Sequence, residues 1–475
     1  MSYAFTFDAS ACTGCKACQE ACKDKNGLPA GVLWRWVVEV AGGEWQARGA
    51  AWEHSVFAYN LSLACNHCVH PKCAGVCPVD AFTVRPDGIV LLDSTRCMGC
   101  GYCAWACPYG APQYDPAQGV MAKCNFCFDN LDEGLPPSCV AACPLRVLDF
   151  QAVTAGSTMP GWQSLWQLPA SEHPFPLPPY SRTEPHLSLR PHPAMGSPLE
   201  KQVANREEVQ PRTTRKKHRL AAYDELPLVA FTLLAQMAAG MALCLPGLSS
   251  IPFPLLLSIG LLLGAGGLIS FLHLGRKRNA WRAAFHLKKS WLSREILAAL
   301  LLGGGWALAM SSEPLRAAAF TSWLLAILGF GLVYSMGQVY RLRAVPAWNT
   351  WRTQAAFLLS AAVLGTLGVN LAVPEASWAA LAGAALALEL ALARREKSPL
   401  AAWARRLRLA LLGAALLGAV LIVLGVGLAP GAELAPGAEL APLVFAIALA
   451  QEALGRWGFY AARQAGGGGR ALSTD

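Results

Sequence analysis

Residues 96–114 read RCMGCGYCAWACPYGAPQY, and this stretch contains four cysteines, Cys97, Cys100, Cys103 and Cys107. The first three are each separated by two residues, whereas the fourth follows after three and immediately precedes a proline. In two-cluster ferredoxins the first three cysteines of such a run hold one 4Fe–4S cluster and the fourth ligates the other cluster. Proline suits the first turn of a departing helix, because no amide donor is needed there. The spacing therefore predicts that Cys107 ligates a neighbouring cluster.

Three further groups of four cysteines accompany this stretch. Group I is Cys12, Cys15, Cys18 and Cys22; group II is Cys65, Cys68, Cys73 and Cys77; group III is the stretch above; group IV is Cys124, Cys127, Cys139 and Cys143. Groups I and III have the full ferredoxin spacing, and groups II, III and IV end in Cys-Pro. They predict two pairs and four 4Fe–4S clusters. The spacing leaves open whether neighbouring groups pair (I with II, III with IV) or the pairs are nested (I with IV, II with III). Zinc is the alternative metal, but this pattern fits zinc sites poorly.

The composition divides the chain into two parts. Of its 475 residues, 54% are hydrophobic and 15% are charged, which is too apolar for an ordinary soluble protein. Sixteen of the seventeen cysteines lie between Cys12 and Cys143, whereas long apolar runs begin near Leu226. The N-terminus has neither a secretory signal nor a twin-arginine signal, so we expect reduced, metal-binding cysteines and no disulfide framework.

Eight apolar runs follow the cysteine-rich part, and most reach the ~20 residues that cross a bilayer. They lie near 226–246, 251–273, 295–312, 317–339, 354–373, 376–393, 408–428 and 441–461. A buried soluble bundle would show amphipathic stripes, but these runs are apolar on all sides. The fold class predicted is thus an α+β ferredoxin-like four-cluster domain followed by an all-α eight-helix transmembrane bundle.

Lys and Arg residues set the expected topology. Alternate connections carry twenty-four of them, and the remaining connections carry only Arg316. The positive-inside rule then places both ends of the bundle, and with them the cluster domain, on the cytoplasmic face of the inner (plasma) membrane. This placement accounts for the net charge of +9 without a nucleic-acid partner.

Two polar residues at the basic end of the bundle suggest a quinone site. His273 ends the second apolar run and Glu295 begins the third. A hydroquinone loses two protons with its two electrons, and an imidazole and a carboxylate can accept the protons. The alternative for His273 is an ordinary interfacial histidine. No haem is expected, because bis-histidine ligation needs two intramembrane histidines and only His273 touches a helix end.

Two further charges fall within apolar runs. Glu389 lies mid-helix, where a carboxylate is either functional or a protonated acid bonded to a neighbouring helix. Arg456 is expected to extend to the inner membrane surface, or else to orient Glu452. The short duplication at 428–442 is expected to lie in an outward loop without a function of its own.

The first half resembles the iron–sulfur subunit of the dimethyl sulfoxide reductase family of molybdenum enzymes, over about residues 3–209. The resemblance is carried by CTGCKACQEACKDKN, CNHCVHPKCAGVCP, RCMGCGYCAWACPYGAPQY, KCNFCFDN and CVAACPLRVLDF. It implies nested pairing, with the first cluster facing the molybdenum subunit and the fourth facing the membrane. The implied ligands are Cys12, Cys15, Cys18 and Cys143 (first); Cys22, Cys124, Cys127 and Cys139 (second); Cys77, Cys97, Cys100 and Cys103 (third); and Cys65, Cys68, Cys73 and Cys107 (fourth).

The second half is similar to the membrane anchor subunit of the same family, over about residues 223–463. Shorter motifs carry this similarity: ELPLVAFTLLAQMAAGM, LHLG, SWLSREI, VYRLRAVPAWNTW and EALGRWGFY. It implies that His273 and Glu295 belong to a menaquinol site. Two subunits that are normally separate would then be fused in one chain.

Together these features predict an electron-transfer and anchor subunit that is not an enzyme on its own. It would pass electrons from menaquinol, drawn from the membrane lipid, through four clusters to a separate molybdopterin catalytic subunit. The alternatives are the same wiring in reverse, with a dehydrogenase such as formate dehydrogenase as partner, and a membrane-bound metal-binding regulator. The expected domains are the cluster domain (1–160), a Pro-rich extended tail and linker (161–222), the anchor (223–463) and a disordered C-terminal tail (464–475).

Overall fold

A computed structural model describes residues 2–153, 163–164, 183–195, 226–394, 402–425 and 438–466. The N-terminal part is a mixed α/β domain built from short elements. In chain order these are β1 (Ser2–Asp8), α1 (Ala17–Lys25), β2 (Trp36–Gly42), β3 (Trp45–Arg48), β4 (Ala51–His54), β5 (Phe57–Leu63), α2 (Lys72–Val76), β6 (Phe82–Val84), β7 (Val90–Leu92), α3 (Tyr102–Ala106), β8 (Gln113–Asp115), β9 (Val120–Ala122), α4 (Phe128–Asp132), α5 (Ser138–Ala141), β10 (Leu148–Val153), β11 (Gln163–Ser164) and β12 (Leu187–Arg190).

A four-stranded sheet holds the two ends of this domain together. Its strand order is β10-β1-β12-β11, with β1 antiparallel to β10 and parallel to β12. Phe5 and Phe7 of β1 are buried in the core, where Phe5 stacks on Phe126. Because Phe7 pairs with Leu148, the sheet brings the segment after β1 beside the segment before β10. Those two segments carry the first and last cysteine groups.

Two strands, β11 and β12, come from the segment expected to form an extended tail. Within 161–222, β12 completes the central sheet, and its Leu187 and Leu189 side chains are buried. Alternation of apolar and polar residues explains this, because a strand beside β1 can bury one of its faces. That part of the tail therefore belongs to the core of the domain. Most of the rest of the segment lies outside the described residues, as does most of 464–475.

The C-terminal part is helical. Its helices are α6 (Leu226–Cys244), α7 (Phe253–Ser270), α8 (Trp291–Ser311), α9 (Glu313–Ala317), α10 (Ala319–Tyr340), α11 (Trp351–Ala372), α12 (Ala376–Arg394), α13 (Ala402–Val423) and α14 (Ala441–Gly466). Among the described residues, seven helices are long and apolar enough to cross a membrane. The eighth predicted run forms α14, which is 26 residues long but carries the polar residues Gln451, Glu452 and Arg456. The predicted fold class is confirmed.

The outer surface of the bundle is strongly apolar. Leu261 and Leu268 of α7 and Phe320 and Ile327 of α10 are all more than 60% exposed. A patch of this kind is unfavourable in water, whereas hydrocarbon would cover it without cost. Inside the bundle, α6 and α11 approach closely at Gly240 and Gly365, since a Cβ at Gly240 would lie 2.0 Å from the Ala361 carbonyl oxygen. Small residues at such crossings are typical of membrane helices.

One of two boundaries near the candidate quinol site differs from the sequence expectation. Helix α8 begins at Trp291, so Glu295 lies in its second turn and not at its start. The second membrane span ends in a short 3-10 turn, Phe271–His273, which leaves His273 at the end of the bundle. Most of the duplication at 428–442 lies outside the described residues.

Candidate iron–sulfur and quinol sites

The sixteen cysteines of the N-terminal domain are gathered into four sets, which we call quartets and number as in the sequence analysis. The first quartet, Cys12, Cys15, Cys18 and Cys143, lines one small cavity. The fourth, Cys65, Cys68, Cys73 and Cys107, lines another. Of the second, Cys22, Cys124, Cys127 and Cys139, three cysteines lie in one buried core. The third, Cys77, Cys97, Cys100 and Cys103, lies in or against another. The structure thus brings together the cysteines that nested pairing requires.

Left-handed backbone conformations turn the sulfurs of each loop towards one centre. In the third quartet, Gly99 has a φ of 73°. There the Gly99 and Met121 amides both donate to Cys97 Sγ, each at 3.4 Å. In the second quartet, Cys127 itself has a φ of 48° and the Phe126 amide donates to Cys124 Sγ. Amides directed at sulfur favour the thiolate, the form that binds metal.

The quartets fit a cubane cluster better than a single ion. In the described parts of the chain, no three His, Cys, Asp or Glu side chains are close enough to share one metal ion. A cubane instead takes one thiolate at each of its irons, so its ligands surround a body. Burial raises the pKa of Cys22 and of Cys100 to about 12, and neighbouring cysteines act in the same direction. Four thiolates so deeply buried need compensating positive charge, which cluster iron supplies.

A buried arginine accompanies the first two quartets, and the sequence analysis did not identify it. Arg35 is 2% exposed and donates to the Ser62 carbonyl and hydroxyl oxygens at 3.3 and 3.1 Å. Its guanidinium lies 4.4 Å from the centre of the Phe5 ring. Its charge acts on the thiols of Cys139, Cys18, Cys124 and Cys22. A charged residue inside the apolar run LWRWVV is the sequence signal that indicates this position.

Neighbour relations order the quartets in a line. Cys18 of the first quartet, Cys22 and Cys139 of the second and Cys65 of the fourth belong to one buried core. Cys73 of the fourth belongs to another core, which it shares with three cysteines of the third quartet. The fourth quartet therefore lies between the third quartet and the first two. At one end of the line, Cys15 is exposed on the surface of the domain.

The third quartet makes the direct hydrogen-bonded contacts with the membrane anchor, whereas the fourth contributes Cys73 to the core that they share. Cys77, Cys97 and Cys103 of the third quartet share this core with Ala283 from the loop before α8 and with Leu292 and Ile296 of that helix. The order expected from the resemblance is wrong on this point. The physical reason is that the anchor loop binds directly to the backbone around Cys97, which buries this quartet at the interface.

Hydrogen bonds and a close backbone approach hold the two domains together. Asn279 donates to the Cys97 carbonyl oxygen at 2.8 Å, and Arg276 donates its backbone amide to Met98 at 3.0 Å. The Tyr102 hydroxyl donates to the Val339 carbonyl oxygen at 2.8 Å. Gly275 lies against Gly119 so closely that a Cβ there would be 2.1 Å from the Gly119 carbonyl oxygen.

Glu295 lies beside this interface. Glu295 is 4% exposed, and the neighbouring Leu292 and Ile296 pack on the third quartet. Burial raises the pKa of Tyr102, and the nearby Glu295 and Cys100 act in the same direction. Among the described residues, no hydrogen-bond partner is found for the Glu295 carboxyl. The group is thus buried, close to a cysteine quartet and free to bind a ligand.

His273 lies at the same end of the bundle, on the helix before Glu295. The next residue, Leu274, packs against the core of the third quartet. The His273 Nδ1 atom is buried and has no hydrogen-bond partner in the described part of the chain. Within those residues no hydrogen bond or ion pair joins His273 to Glu295. The two groups therefore share a region of the interface, each with unused hydrogen-bonding capacity.

Cysteine quartets in an α/β domain, packed against apolar helices, define a membrane-anchored iron–sulfur protein. Comparison with known proteins makes this class more specific. A model of the 4Fe-4S dicluster domain matches residues 56–153, and a model of the DMSO reductase anchor subunit (DmsC) matches residues 220–391.

Individual relatives match the N-terminal part. The B subunit of the anaerobic dimethyl sulfoxide reductase of Escherichia coli (strain K12) is 52% identical over 148 residues, which are 31% of this protein and 72% of the relative. The B subunit of the Haemophilus influenzae reductase is 43% identical over 191 residues, 40% of this protein and 89% of the relative. A formate dehydrogenase iron-sulfur subunit of Wolinella succinogenes is 40% identical over 166 residues, 30% of this protein and 78% of the relative. This protein belongs to the family of dimethyl sulfoxide reductase iron–sulfur subunits, joined here to an anchor domain in one polypeptide.

Proposed function

We propose that this protein carries electrons from menaquinol to a separate molybdopterin catalytic subunit of the dimethyl sulfoxide reductase type. The observation that carries the proposal is the line of four quartets, which runs from the exposed Cys15 to the third quartet beside Glu295. The two ends of this line face different environments. One reaches the surface of the domain, where a protein partner can dock, and the other reaches the membrane anchor.

Each quartet would hold one 4Fe–4S cluster, which accepts and releases a single electron when bound. All sixteen cysteines of the four quartets would serve as ligands. The protein's own contribution is to keep these sites dry, to direct backbone amides at the sulfurs and to fix the spacing between the sites. Arg35 adds a buried positive charge beside the first and second quartets.

At the anchor end, Glu295 and His273 would bind the hydroquinone and accept its two protons. A carboxylate and an imidazole suit this role, because each accepts a proton at neutral pH. A cluster held by the third quartet would be the electron acceptor on this side, because Leu292 and Ile296, which flank Glu295, pack against that quartet. By the positive-inside rule, the basic connections would put this end on the cytoplasmic face of the inner membrane. Because quinol oxidation and the clusters share that face, no charge should cross the membrane during turnover.

Electron flow in the reverse direction, from the clusters to quinone, is the second candidate function. The similarity to a formate dehydrogenase iron-sulfur subunit favours it, since such a partner would deliver electrons to quinone. The same residues would then donate protons to the quinone. The reduction potentials of the clusters distinguish the two directions.

The test uses the purified full chain in detergent or liposomes. We expect about sixteen iron atoms and as many sulfide ions per chain, from four cubanes. We also expect menaquinol to bleach the cluster absorbance and to produce the signals of reduced clusters in electron paramagnetic resonance. Markedly less iron, or clusters that neither menaquinol reduces nor menaquinone oxidises, would contradict the proposal.

Replacing Arg35 with glutamine should lower the reduction potential of the cluster in the second quartet. Loss of a buried positive charge disfavours the added electron, and we expect a shift of roughly 60 mV, a tenfold change for one electron. Redox titration followed by electron paramagnetic resonance measures it. Arg35→Lys, which retains the charge, should shift the potential less, and the exposed Arg48→Gln should leave it unchanged. Equal potentials in wild type and Arg35→Gln would contradict the role.

A further inference from the structure

The membrane bundle contains a second set of polar residues, away from the interface with the cluster domain. This set, the buried polar cluster, consists of Ser360, Glu389, Arg408, Gln451, Glu452 and Arg456, from four helices. Gln451 is fully buried, and Ser360, Glu389, Glu452 and Arg456 are each at most 5% exposed. Arg456 therefore does not extend to the membrane surface, contrary to the first of the sequence expectations. Ionisable groups at such a depth are costly unless they are paired or functional.

Direct contacts connect the members of the buried polar cluster. Arg408 donates to Glu389 at 3.0 Å, and the Gln451 amide donates to the same carboxylate at 3.3 Å. Ser360 donates to Glu452 at 2.7 Å and accepts from Arg456 at 3.2 Å. Gln451 and Glu452 are consecutive residues of α14, so the Glu389 and Glu452 carboxyls belong to one connected network.

A carboxyl group in this network can bind one proton, because the neutral acid donates a hydrogen bond where the carboxylate only accepts. The buried polar cluster therefore has a place for one exchangeable proton. Three of its polar atoms, Gln451 Oε1, Glu452 Oε1 and Arg456 Nε, are buried without a partner among the described residues. Internal water ordinarily satisfies such atoms. Internal water and a carboxyl group that can bind a proton are typical components of proton relays in membrane proteins.

A tyrosine pair lies between this cluster and Glu295. The hydroxyls of Tyr340 and Tyr460 are 2.6 Å apart. Tyr340 directly follows Val339, whose carbonyl oxygen accepts the Tyr102 hydrogen bond at the interface beside Glu295. Arg456 lies one turn before Tyr460 on α14 and rests 3.9 Å over the Phe357 ring. Polar groups thus extend from Glu295, past the tyrosines, to the two carboxyls and Arg408.

We propose that the buried polar cluster is a proton-binding site that takes up protons released at Glu295 and passes them towards Arg408. This inference rests on the proposed function, because quinol oxidation is the source of the protons. Each hydroquinone yields quinone, two electrons for the cysteine-held clusters and two protons. As one proton binds to Glu452, another leaves Glu389, so that the charge of the buried polar cluster stays constant. Arg408 lies near the start of α13, at the end of the bundle that carries the basic connections, so the protons leave on the side of the cluster domain.

Infrared spectroscopy of the full chain tests proton storage without any quinol. We expect a carboxylic-acid C=O band that shifts in D₂O and is lost in Glu389→Gln or Glu452→Gln. Glu313→Gln removes an exposed carboxyl at the opposite end of the bundle and should leave the band unchanged. Absence of the band from the wild type, or its survival in both buried variants, would overturn the inference.

Proton release during turnover tests the relay. With a pH indicator and rapid mixing with menaquinol, Glu389→Gln and Glu452→Gln should each slow proton release by about tenfold or more. Reduction of the clusters by dithionite and the iron content should remain at wild-type values, and Glu313→Gln should behave as wild type. Wild-type release rates in both buried variants would overturn the relay. If menaquinol fails to reduce even the wild type while the infrared band is present, the proposed function fails and proton storage stands.

Discussion

Replacing Glu295 with glutamine is expected to slow the reduction of the iron–sulfur clusters by menaquinol at least about 100-fold, the usual loss for a positioned general base. The glutamine keeps the size of the side chain, but it cannot accept a proton from the hydroquinone. The Glu295 carboxyl has no hydrogen-bond partner among the described residues, so the substitution breaks no internal bond. Rapid mixing of the full chain with a menaquinol analogue measures the rate.

Two controls separate this effect from damage to the electron path. Dithionite should reduce the clusters of Glu295→Gln as fast as those of the wild type, because the third quartet and its packing against Ile296 are unchanged. Glu375→Gln removes an exposed carboxyl from the bundle and should leave quinol oxidation unaffected. If Glu295→Gln oxidises menaquinol at the wild-type rate, the proton acceptor lies elsewhere.

A valine at Gly275 is expected to separate the cluster domain from the anchor. A Cβ at this position would lie 2.1 Å from the Gly119 carbonyl oxygen and 2.7 Å from the Tyr114 hydroxyl, so the backbones must move apart. Overpacking of this kind costs about 1–3 kcal/mol. That free energy weakens docking by roughly tenfold or more. Because electron transfer falls steeply with distance, reduction of the clusters by menaquinol should slow accordingly.

The matched control is Gly267→Val, since nothing lies within 4 Å of a Cβ at Gly267. It should retain the wild-type rate, and both variants should bind as much iron as the wild type. If Gly275→Val proves as fast as Gly267→Val, close docking at the glycine contact is not required for electron transfer.

The sequence predicted the local parts of the site but not how they combine. The spacing of cysteines within a group constrains only a short segment of backbone. It therefore could not decide whether the four groups pair as neighbours or as nested pairs. The pairing of Phe7 with Leu148 in the central sheet brings Cys143 back to Cys12. The helices were predictable because apolar runs of sufficient length have few other stable structures in a membrane.

Two features required the tertiary structure. The position of the third quartet against the anchor depends on the contact of Asn279 with Cys97, which no local pattern encodes. The Arg456 side chain points into the bundle because it donates hydrogen bonds to Gln236 and Ser360 and lies over the Phe357 ring. These partners belong to helices that are far away in sequence. Reasoning from hydropathy alone assigns such an arginine to the membrane surface.

The parallel strand Leu187–Arg190 also affects how the protein can be divided or made. Leu187 and Leu189 are buried in the four-stranded sheet that joins the two ends of the cluster domain. These residues must therefore be synthesised before the cluster domain can finish folding. The first membrane helix begins soon afterwards, at Leu226. A gene split intended to separate the cluster domain from the anchor should be placed after residue 195, because a cut near 160 would remove β11 and β12 from its central sheet.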